Sequence, residues 1–239
     1  MLFKRFNQRS DEIELMDSDS SSFLEFNNCL RHLEWINIFT LAYLPTYFWF
    51  KKVIASNRKK EKILIFDVGS GGGDMLRKIW KWSSGAKTKF ILVGIDINPW
   101  SKKSAEEMTP KTAPIEFETA NIFTFDYGQK PDFIISSLFT HHLNNDDLVK
   151  FINWMDGQAL QGWFINDLHR HFIPYFFIKW VTTLLPFNRL VKNDAAVSVA
   201  RAFTAQDLWM IIDTVGIDRK RIKIKWFFPF RYSITCEKL

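Results

Sequence analysis

Cysteine is scarce in this sequence of 239 residues, and its two copies, Cys29 and Cys236, stand far apart without a second thiol nearby. That spacing argues against a disulfide scaffold and against a cysteine-based zinc knuckle. A reducing compartment is the default for such a chain, so we expect a cytoplasmic protein.

Long apolar runs are also lacking. The two most apolar stretches, residues 35–50 and 172–187, are interrupted by proline and polar residues, and neither reaches the roughly 18 apolar residues of a membrane span. Buried or interfacial helices fit both stretches better. Peripheral contact with the inner membrane stays open as an alternative.

Charge of one sign is not concentrated anywhere. The 32 basic residues exceed the 26 acidic ones, for a net charge of +6, but they are scattered in runs as short as residues 58–60. Such a balance permits an acidic partner without demanding one. Aromatic residues make up 16% of the chain, enough to fill a core or to line a large apolar pocket.

Two kinds of segment follow one another along the chain. Residues 1–60 contain no glycine and predict a helical N-terminal extension, whereas residues 61–239 alternate short β-rich apolar runs with helical stripes. This alternation predicts an α/β domain with a mostly parallel, doubly wound sheet. Within it, the aromatic residues 168–203 predict a helical lid insertion, broken at Pro186. The predicted strands are residues 63–68, 90–95, 115–119, 132–137, 162–166 and an antiparallel pair at 221–226 and 232–236.

A glycine-rich turn follows the first predicted strand. Four glycines lie within residues 69–73, where the backbone has to turn tightly and approach a ligand. Asp74 stands where a dinucleotide-binding loop needs glycine, and a carboxylate there repels a pyrophosphate. Asp96 closes the second strand, where a carboxylate can accept hydrogen bonds from both hydroxyls of a ribose. These features predict a nucleoside ligand with a cationic, amino-acid-like end; a turn that only packs a helix on the sheet is the alternative.

Two motifs, residues 66–74 (FDVGSGGGD) and 93–99 (VGIDINP), resemble those of the class I S-adenosylmethionine-dependent methyltransferases. The resemblance implies a Rossmann-like, seven-stranded fold with S-adenosylmethionine as cofactor. It implies that Asp67 and the glycine loop hold the methionine end, Asp96 the ribose and Ile97 the adenine. Asn121 takes the place of the usual acidic residue near the adenine amine. The implied cofactor-binding residues are Asp67, Gly69, Ser70, Gly71, Gly73, Asp74, Asp96, Ile97, Asn98, Asn121, Ile122 and Ser137.

Four further stretches, residues 14–17, 136–143, 166–170 and 198–204, resemble a bacterial subfamily of these methyltransferases. Members of that subfamily often accompany type III polyketide synthases and other aromatic-lipid pathways. The resemblance therefore implies a small-molecule or lipidic aromatic acceptor.

Histidines follow the fourth and fifth predicted strands, at the edge of the sheet where ligands bind in open α/β folds. Transfer to an oxygen requires alignment of the acceptor and removal of its proton, and a neutral imidazole can assist the ionisation of a phenol. His141 or His142 is the predicted base, and His169 is a third candidate. The candidate substrate-binding residues are Asp167, Arg170, Phe172 and Arg201. No metal site is predicted, because the histidines show no paired ligand spacing.

The predicted reaction is methyl transfer to a phenolic oxygen of a small or lipidic aromatic acceptor. Methylation of a ring carbon in a quinone-type precursor is the nearest alternative, because the same base would ionise the ring hydroxyl. A nucleic-acid methyltransferase and a cofactor-binding protein without catalysis are alternatives of other classes. We expect no nucleic-acid partner, since no basic stripe interleaves with the aromatics and the fourth strand reads Ser-Ser-Leu-Phe. The oligomeric state does not follow from the sequence.

Overall fold

A computed structural model describes residues 6–17 and 22–238 of the chain. Seven strands form one sheet in the order β3-β2-β1-β4-β5-β7-β6, parallel except for β7, which is antiparallel to β5 and β6. The strands are β1 (Lys62–Val68), β2 (Lys89–Asp96), β3 (Ile115–Thr119), β4 (Phe133–Ser137), β5 (Gly162–Leu168), β6 (Ile222–Phe227) and β7 (Arg231–Glu237). The helices are α1 (Phe23–Phe39), α2 (Leu44–Ser56), α3 (Asp74–Trp82), α4 (Pro99–Met108), α5 (Asn145–Gln158), α6 (Phe172–Leu184), α7 (Arg189–Arg201) and α8 (Ala205–Val215). The predicted seven-stranded class I methyltransferase fold, antiparallel pair included, is confirmed.

Helices cover both faces of the sheet, which explains why its central strands are apolar almost throughout. Alternate side chains of β1 face α5 and α8 on one side and α2, α3 and α4 on the other. The parallel register brings Asp67 of β1 beside Gly94 of β2, and Ser137 of β4 beside Asn166 of β5. The carboxyl ends of these strands therefore meet at one edge.

The segment between β5 and α8 forms two helices, α6 and α7, separated by residues 185–188 around the predicted break at Pro186. They contact each other, and α7 also contacts α1, so that the three helices gather at the carboxyl edge of the sheet. Most large apolar side chains of α6 point outward; only Tyr175, Ile178 and Thr182 are buried. No helix among the described residues is both long and apolar enough to cross a membrane.

The helical prediction for residues 1–60 is correct only in part. Helices α1 and α2 lie there, but residues 7–14 have no helical structure. Their polar groups bond to distant parts of the fold instead. The Ser10 amide donates to the Ala200 carbonyl at 3.0 Å, and the Arg9 guanidinium donates to the carbonyls of Arg201 and Leu143. Residues 1–5 and 18–21 of the predicted extension lie outside the described part of the chain.

Candidate active site

The glycine loop lies between the end of β1 and the start of α3. A Cβ on Gly69 would come within 2.3 Å of the Phe139 ring, and the φ of Gly69 is +71°, so both space and backbone conformation favour glycine here. The Gly71 amide donates to Asp96 Oδ2 at 2.9 Å. The loop is thus fixed to the end of the neighbouring strand.

Asp96 joins the loop to the next turn of the chain. Its Oδ1 accepts a hydrogen bond from the Asn98 amide at 2.9 Å, and Asn98 in turn caps α4 by accepting from the Trp100 amide. The Ser101 hydroxyl donates to the same carboxylate, so three of its roughly four lone-pair sites are taken and one remains for a further donor. Ile97, beside this carboxylate, is 70% exposed, which suits packing against a flat ligand ring.

Asp67 is buried at the end of β1 and its Oδ1 has no hydrogen-bond partner within the described residues. Burial, together with the nearby charges of Asp74 and Asp96, raises its pKa well above the usual range. Asp74 is held by the Tyr43 hydroxyl at 2.6 Å and the Asn37 amide at 3.3 Å. Three carboxyl groups therefore surround one loop, and the cationic end of a ligand would stabilise their negative charge.

A cavity of about 870 Å³ adjoins this loop. Its floor includes Asp67, Asp96 and Ser137, while most of its remaining walls are apolar side chains of α1, α6, α7 and the β6–β7 turn. Leu138, at the end of β4, lines it with a φ of +56°, a conformation that residues other than glycine rarely adopt. A mostly apolar cavity with a few convergent polar groups is typical of a small-molecule site.

His141 lies in a turn after β4 and is buried in the cavity wall. Its Nδ1 lies 2.7 Å from Asp167 Oδ1, and its backbone amide donates to Asp167 Oδ2 at 3.1 Å. Burial acts to raise the pKa of Asp167, but the charge and hydrogen bonds of His141, together with the Thr140 hydroxyl at 2.5 Å, lower it to about 2. An ionised Asp167 only accepts hydrogen bonds, so Nδ1 of His141 must be the donor, which leaves Nε2 as the ring nitrogen that can exchange a proton with an acceptor.

His142 belongs to an ion-pair cluster instead. Its Nδ1 lies 2.8 Å from Asp17, and its Nε2 lies 3.7 Å from the buried Glu14. Burial opposes protonation of His142, but the Asp17 hydrogen bond and the charges of Glu14 and Asp17 outweigh it and raise the pKa to about 9. His142 is therefore cationic at neutral pH, where it is a poor base.

Comparisons with known proteins agree with this geometry. Residues 66–156 match the model of a protein family described as "Methyltransferase domain". This region is a class I S-adenosylmethionine-dependent methyltransferase domain. No curated protein matches the chain.

Solved structures with the same fold share little sequence with this chain. Magnesium protoporphyrin IX methyltransferase from Synechocystis, with bound SAH, is 14% identical, with a TM-score of 0.53 over 82% of this chain and 84% of that one. Human N-acetylserotonin methyltransferase, with SAM, is 13% identical, with a TM-score of 0.61 over 91% and 56%. A family 2 O-methyltransferase of Planctomyces limnophilus, in complex with apigenin, is 13% identical, with a TM-score of 0.51 over 74% and 51%. The matches support the class I methyltransferases as a group and do not support the narrower polyketide-associated subfamily.

The residues at the loop fit S-adenosylmethionine. Its ammonium and sulfonium groups are cationic, which suits the orphaned oxygen of Asp67 and the carboxyl groups around it. Its ribose hydroxyls suit the remaining acceptor capacity of Asp96. Nine residues of the predicted cofactor set line the cavity: Asp67, Gly69, Ser70, Gly71, Asp74, Asp96, Ile97, Asn98 and Ser137. Their roles as ligands stay predictions.

The other three members of that set lie outside the cavity lining. Gly73 lies at the base of α3, where a Cβ would meet the Phe117 ring at 2.6 Å, so its role there is packing. Asn121 is exposed, and its side-chain oxygen accepts a hydrogen bond from the Phe123 amide at 3.1 Å. Ile122 packs against the main core.

The structure does not bring the predicted substrate anchors to the cavity lining. Arg170 donates to the carbonyls of Phe6 and Ala202, and Arg201 donates to those of His141 and His142. Both guanidinium groups hold the N-terminal segment and the histidine turn in place. Asp167 lies behind His141, and Phe172 is part of the exposed face of α6.

His169 likewise does not line the cavity. Its Nδ1 accepts a hydrogen bond from the Trp226 indole at 3.2 Å. Burial and the charges of His171 and Arg170 lower its pKa to about 4. Its position and its weak basicity both disfavour a role as general base.

Two residues that line the cavity were missed by sequence reasoning. Glu14 is 2% exposed and lies 3.6 Å from His141 Nε2, and its only signal was its place in a motif of the resemblance. Arg231 is buried, and its Nε and Nη1 have no partner within the described residues. Burial lowers the pKa of Arg231 to about 10. A lone basic residue directly before the last predicted strand, residues 232–236, was the available signal.

Glu14, His141 and His142 also offer one ligand atom each within 4.8 Å of one another, a geometry that could hold a metal ion. These groups already pair with one another without a metal ion, because a protonated His142 lies 2.8 Å from Asp17 and 3.7 Å from Glu14. We therefore interpret these residues as an ion-pair cluster that positions the histidine turn.

Proposed function

We propose that the methyltransferase transfers a methyl group to a hydroxyl of a small or lipidic aromatic acceptor, with His141 as the general base. The observation that carries this proposal is the pairing of His141 with Asp167 in the wall of the cavity that also contains the glycine loop. A base oriented by a buried carboxylate, beside a site for a cationic methyl donor, suits the chemistry of hydroxyl methylation.

The chain's residues would divide the work as follows. Asp167 holds the Nδ1 proton of His141, so that Nε2 can accept the proton of the acceptor hydroxyl. Asp67 holds the methionine end of the cofactor and Asp96 holds its ribose. When bound, S-adenosylmethionine supplies a sulfonium methyl group that an ionised acceptor oxygen can attack in line.

The acceptor would lie between α1, α6 and α7. Apolar side chains there, including Leu33, Ile36 and Ile178, suit an aromatic ring or an alkyl chain. Arg231 would donate its unpaired N–H groups to an oxygen of the acceptor, which would also offset the cost of burying that charge. Two structures of the same fold carry names with aromatic compounds, N-acetylserotonin and apigenin, which supports an aromatic acceptor.

We retain residues 168–203 as a lid over the acceptor and residues 1–60 as an extension that closes the site from the other side. Glu14 and Leu33 come from the extension, and Phe177 and Val199 from the lid, and all four line the cavity. The link to type III polyketide synthase pathways rests on the sequence resemblance. Methylation at a ring carbon of a quinone-type precursor remains the second candidate, because ionisation of a ring hydroxyl by His141 would serve it equally.

The test uses purified protein, S-adenosylmethionine with a deuterated methyl group, and a panel of alkylated phenols, resorcinols and quinols. We expect deuteromethyl incorporation at oxygen, located by NMR, and its loss in His141→Ala. His32→Ala is the matched control, because His32 lies on α1 outside the cavity lining and contacts Phe187. Labelling of carbon instead of oxygen would select the second candidate. Full activity of His141→Ala would exclude His141 as the base.

A further inference from the structure

The mouth of the cavity is surrounded by apolar side chains that face solvent. Phe39 is 78% exposed and Phe228 is 69% exposed, and Leu41, Ile173 and Phe177 are exposed as well, yet all five also line the cavity. We call these five residues the apolar rim. They come from the end of α1, from α6 and from the β6–β7 turn, which are far apart in sequence.

The exposed apolar surface continues from the rim along two helices. On α1 it adds Trp35 and Ile38, and on α6 it adds Phe176, Trp180 and Leu184. Residues 173, 176, 177, 180 and 184 recur at helical spacing, so α6 presents an apolar stripe outward while its buried side chains pack inward. Soluble proteins rarely expose apolar surface on this scale unless a partner covers it.

Direct contacts join the segments that carry the rim. Arg231, at the end of the β6–β7 turn, donates to the Thr40 hydroxyl at 2.9 Å, next to Phe39. The ring of Phe230 stacks on His171, immediately before α6, with 5.1 Å between the ring centres. The rim and its continuation therefore belong to one surface around the cavity mouth.

The charge on these segments has one sign. Residues 35–60 contain five basic residues, residues 172–188 contain one and residues 222–232 contain three, and none of the three segments contains Asp or Glu. All of these basic residues except Arg231 are exposed. Two of them, Lys60 and Lys223, form ion pairs with Asp132 and Glu237. Residues 58–60 precede β1 and Lys223 lies near the start of β6, at the edge of the sheet opposite the cavity mouth. Lys51, Lys52, Lys179 and Lys225 are the exposed basic residues that remain for the apolar surface, and this combination of apolar and basic side chains complements an anionic lipid surface.

We propose that this surface binds the face of a bilayer containing anionic lipids, with the apolar rim inserted at the level of the headgroups. The cavity mouth then opens toward the bilayer, and a lipidic acceptor reaches His141 without crossing water. The delivery of an acceptor rests on the proposed function, whereas the binding of the bilayer does not.

The experiment is flotation of the full chain with vesicles, in the absence of cofactor and acceptor. One set of vesicles is phosphatidylcholine alone, and the other is phosphatidylcholine and phosphatidylglycerol in equal parts. We expect flotation with the anionic vesicles that weakens as salt is raised. The double variant Trp35→Glu/Trp180→Glu should lose affinity by at least about tenfold, because each tryptophan contributes buried apolar area at the bilayer. Neither side chain lines the cavity.

Met210→Glu is the matched control, since Met210 is exposed on α8, outside the three segments, and should float like the native chain. Calorimetry with S-adenosylhomocysteine shows whether each variant is folded and separates this proposal from the proposed function. Native cofactor affinity without flotation would overturn the membrane proposal alone. Flotation with native cofactor affinity, but without methylation of any acceptor, would contradict only the proposed function. A dimer in sedimentation velocity that the double variant converts to a monomer, without flotation, would assign the surface to a second copy of the chain.

Discussion

Replacement of Asp96 by asparagine tests the cofactor site at its best-defined point. In the structure both carboxylate oxygens already accept a backbone hydrogen bond at 2.9 Å, one from Gly71 and one from Asn98. An asparagine amide has one oxygen and one NH2 group, so in either orientation a donor faces a backbone donor. Asp96→Asn therefore loses one contact to the loop and one to the cofactor's ribose.

The magnitude follows from those two bonds. A hydrogen bond to a charged group contributes about 1.5–3 kcal/mol. Removal of the charge also relieves repulsion between Asp96 and Asp67, which offsets part of the loss. We expect a net cost of about 2–4 kcal/mol in cofactor binding, or about 30- to 1000-fold in Kd.

Calorimetry with S-adenosylhomocysteine at neutral pH measures this change directly. Asp146→Asn is the matched control, because Asp146 is an exposed aspartate in the first turn of α5 and should leave the affinity unchanged. A folded Asp96→Asn protein that binds within about threefold of the native affinity would refute the assignment of Asp96 to the ribose.

Three further predictions concern the histidine turn and Arg231. Asp167→Asn should lower kcat by about 100- to 10,000-fold with native affinity for S-adenosylhomocysteine, because His141 loses its orientation; an unchanged kcat would exclude the pair from catalysis. The pKa of His142 rises from 6.5 to about 9 on folding, so its stabilisation, about 3 kcal/mol, is complete below pH 6.5 and lost as the pH rises through 9. Between these pH values the melting temperature should fall more steeply with pH for the native chain than for His142→Gln. Parallel plots of melting temperature against pH would contradict the assignment of His142 to the ion-pair cluster. Arg231→Met should raise KM for the acceptor about tenfold without lowering the melting temperature, because two of its N–H groups have no protein partner; a large loss of stability with native KM would assign it a structural role.

Local chemistry explains why much of the fold could be predicted from the sequence. The strand–glycine–helix order around residues 66–74 needs only neighbouring residues, since left-handed backbone at Gly69 and Gly71 is a local property. A capping box at Thr204 has the same local character, with Asp207 accepting the backbone hydrogen bond of the cap residue. Such features are set by contacts within a few positions of the chain.

The acceptor side could not be predicted in the same way, because its contacts join distant segments. Arg201 was a candidate for binding an acceptor anion, but the carbonyls of Glu12, His141 and His142 occupy its guanidinium. Glu14 reaches the histidine turn from more than a hundred residues away. Every residue carries a backbone carbonyl, so the sequence does not show which carbonyls an arginine will bind. Nothing in the sequence around Arg201 therefore distinguished a structural role from a binding role.

The most direct measurement of the central claim is single-turnover methylation by the native chain and His141→Ala across pH, with an alkylated phenol and deuteromethyl S-adenosylmethionine. The account predicts that the native chain forms an O-deuteromethyl ether at pH values well below the pKa of the free phenol, about 10. It also predicts that His141→Ala recovers activity only at pH values where the phenol ionises by itself, near a pKa of about 10. Equal rates for the two proteins throughout the pH range, or a methyl group found on nucleic acid and on no phenol, would contradict it.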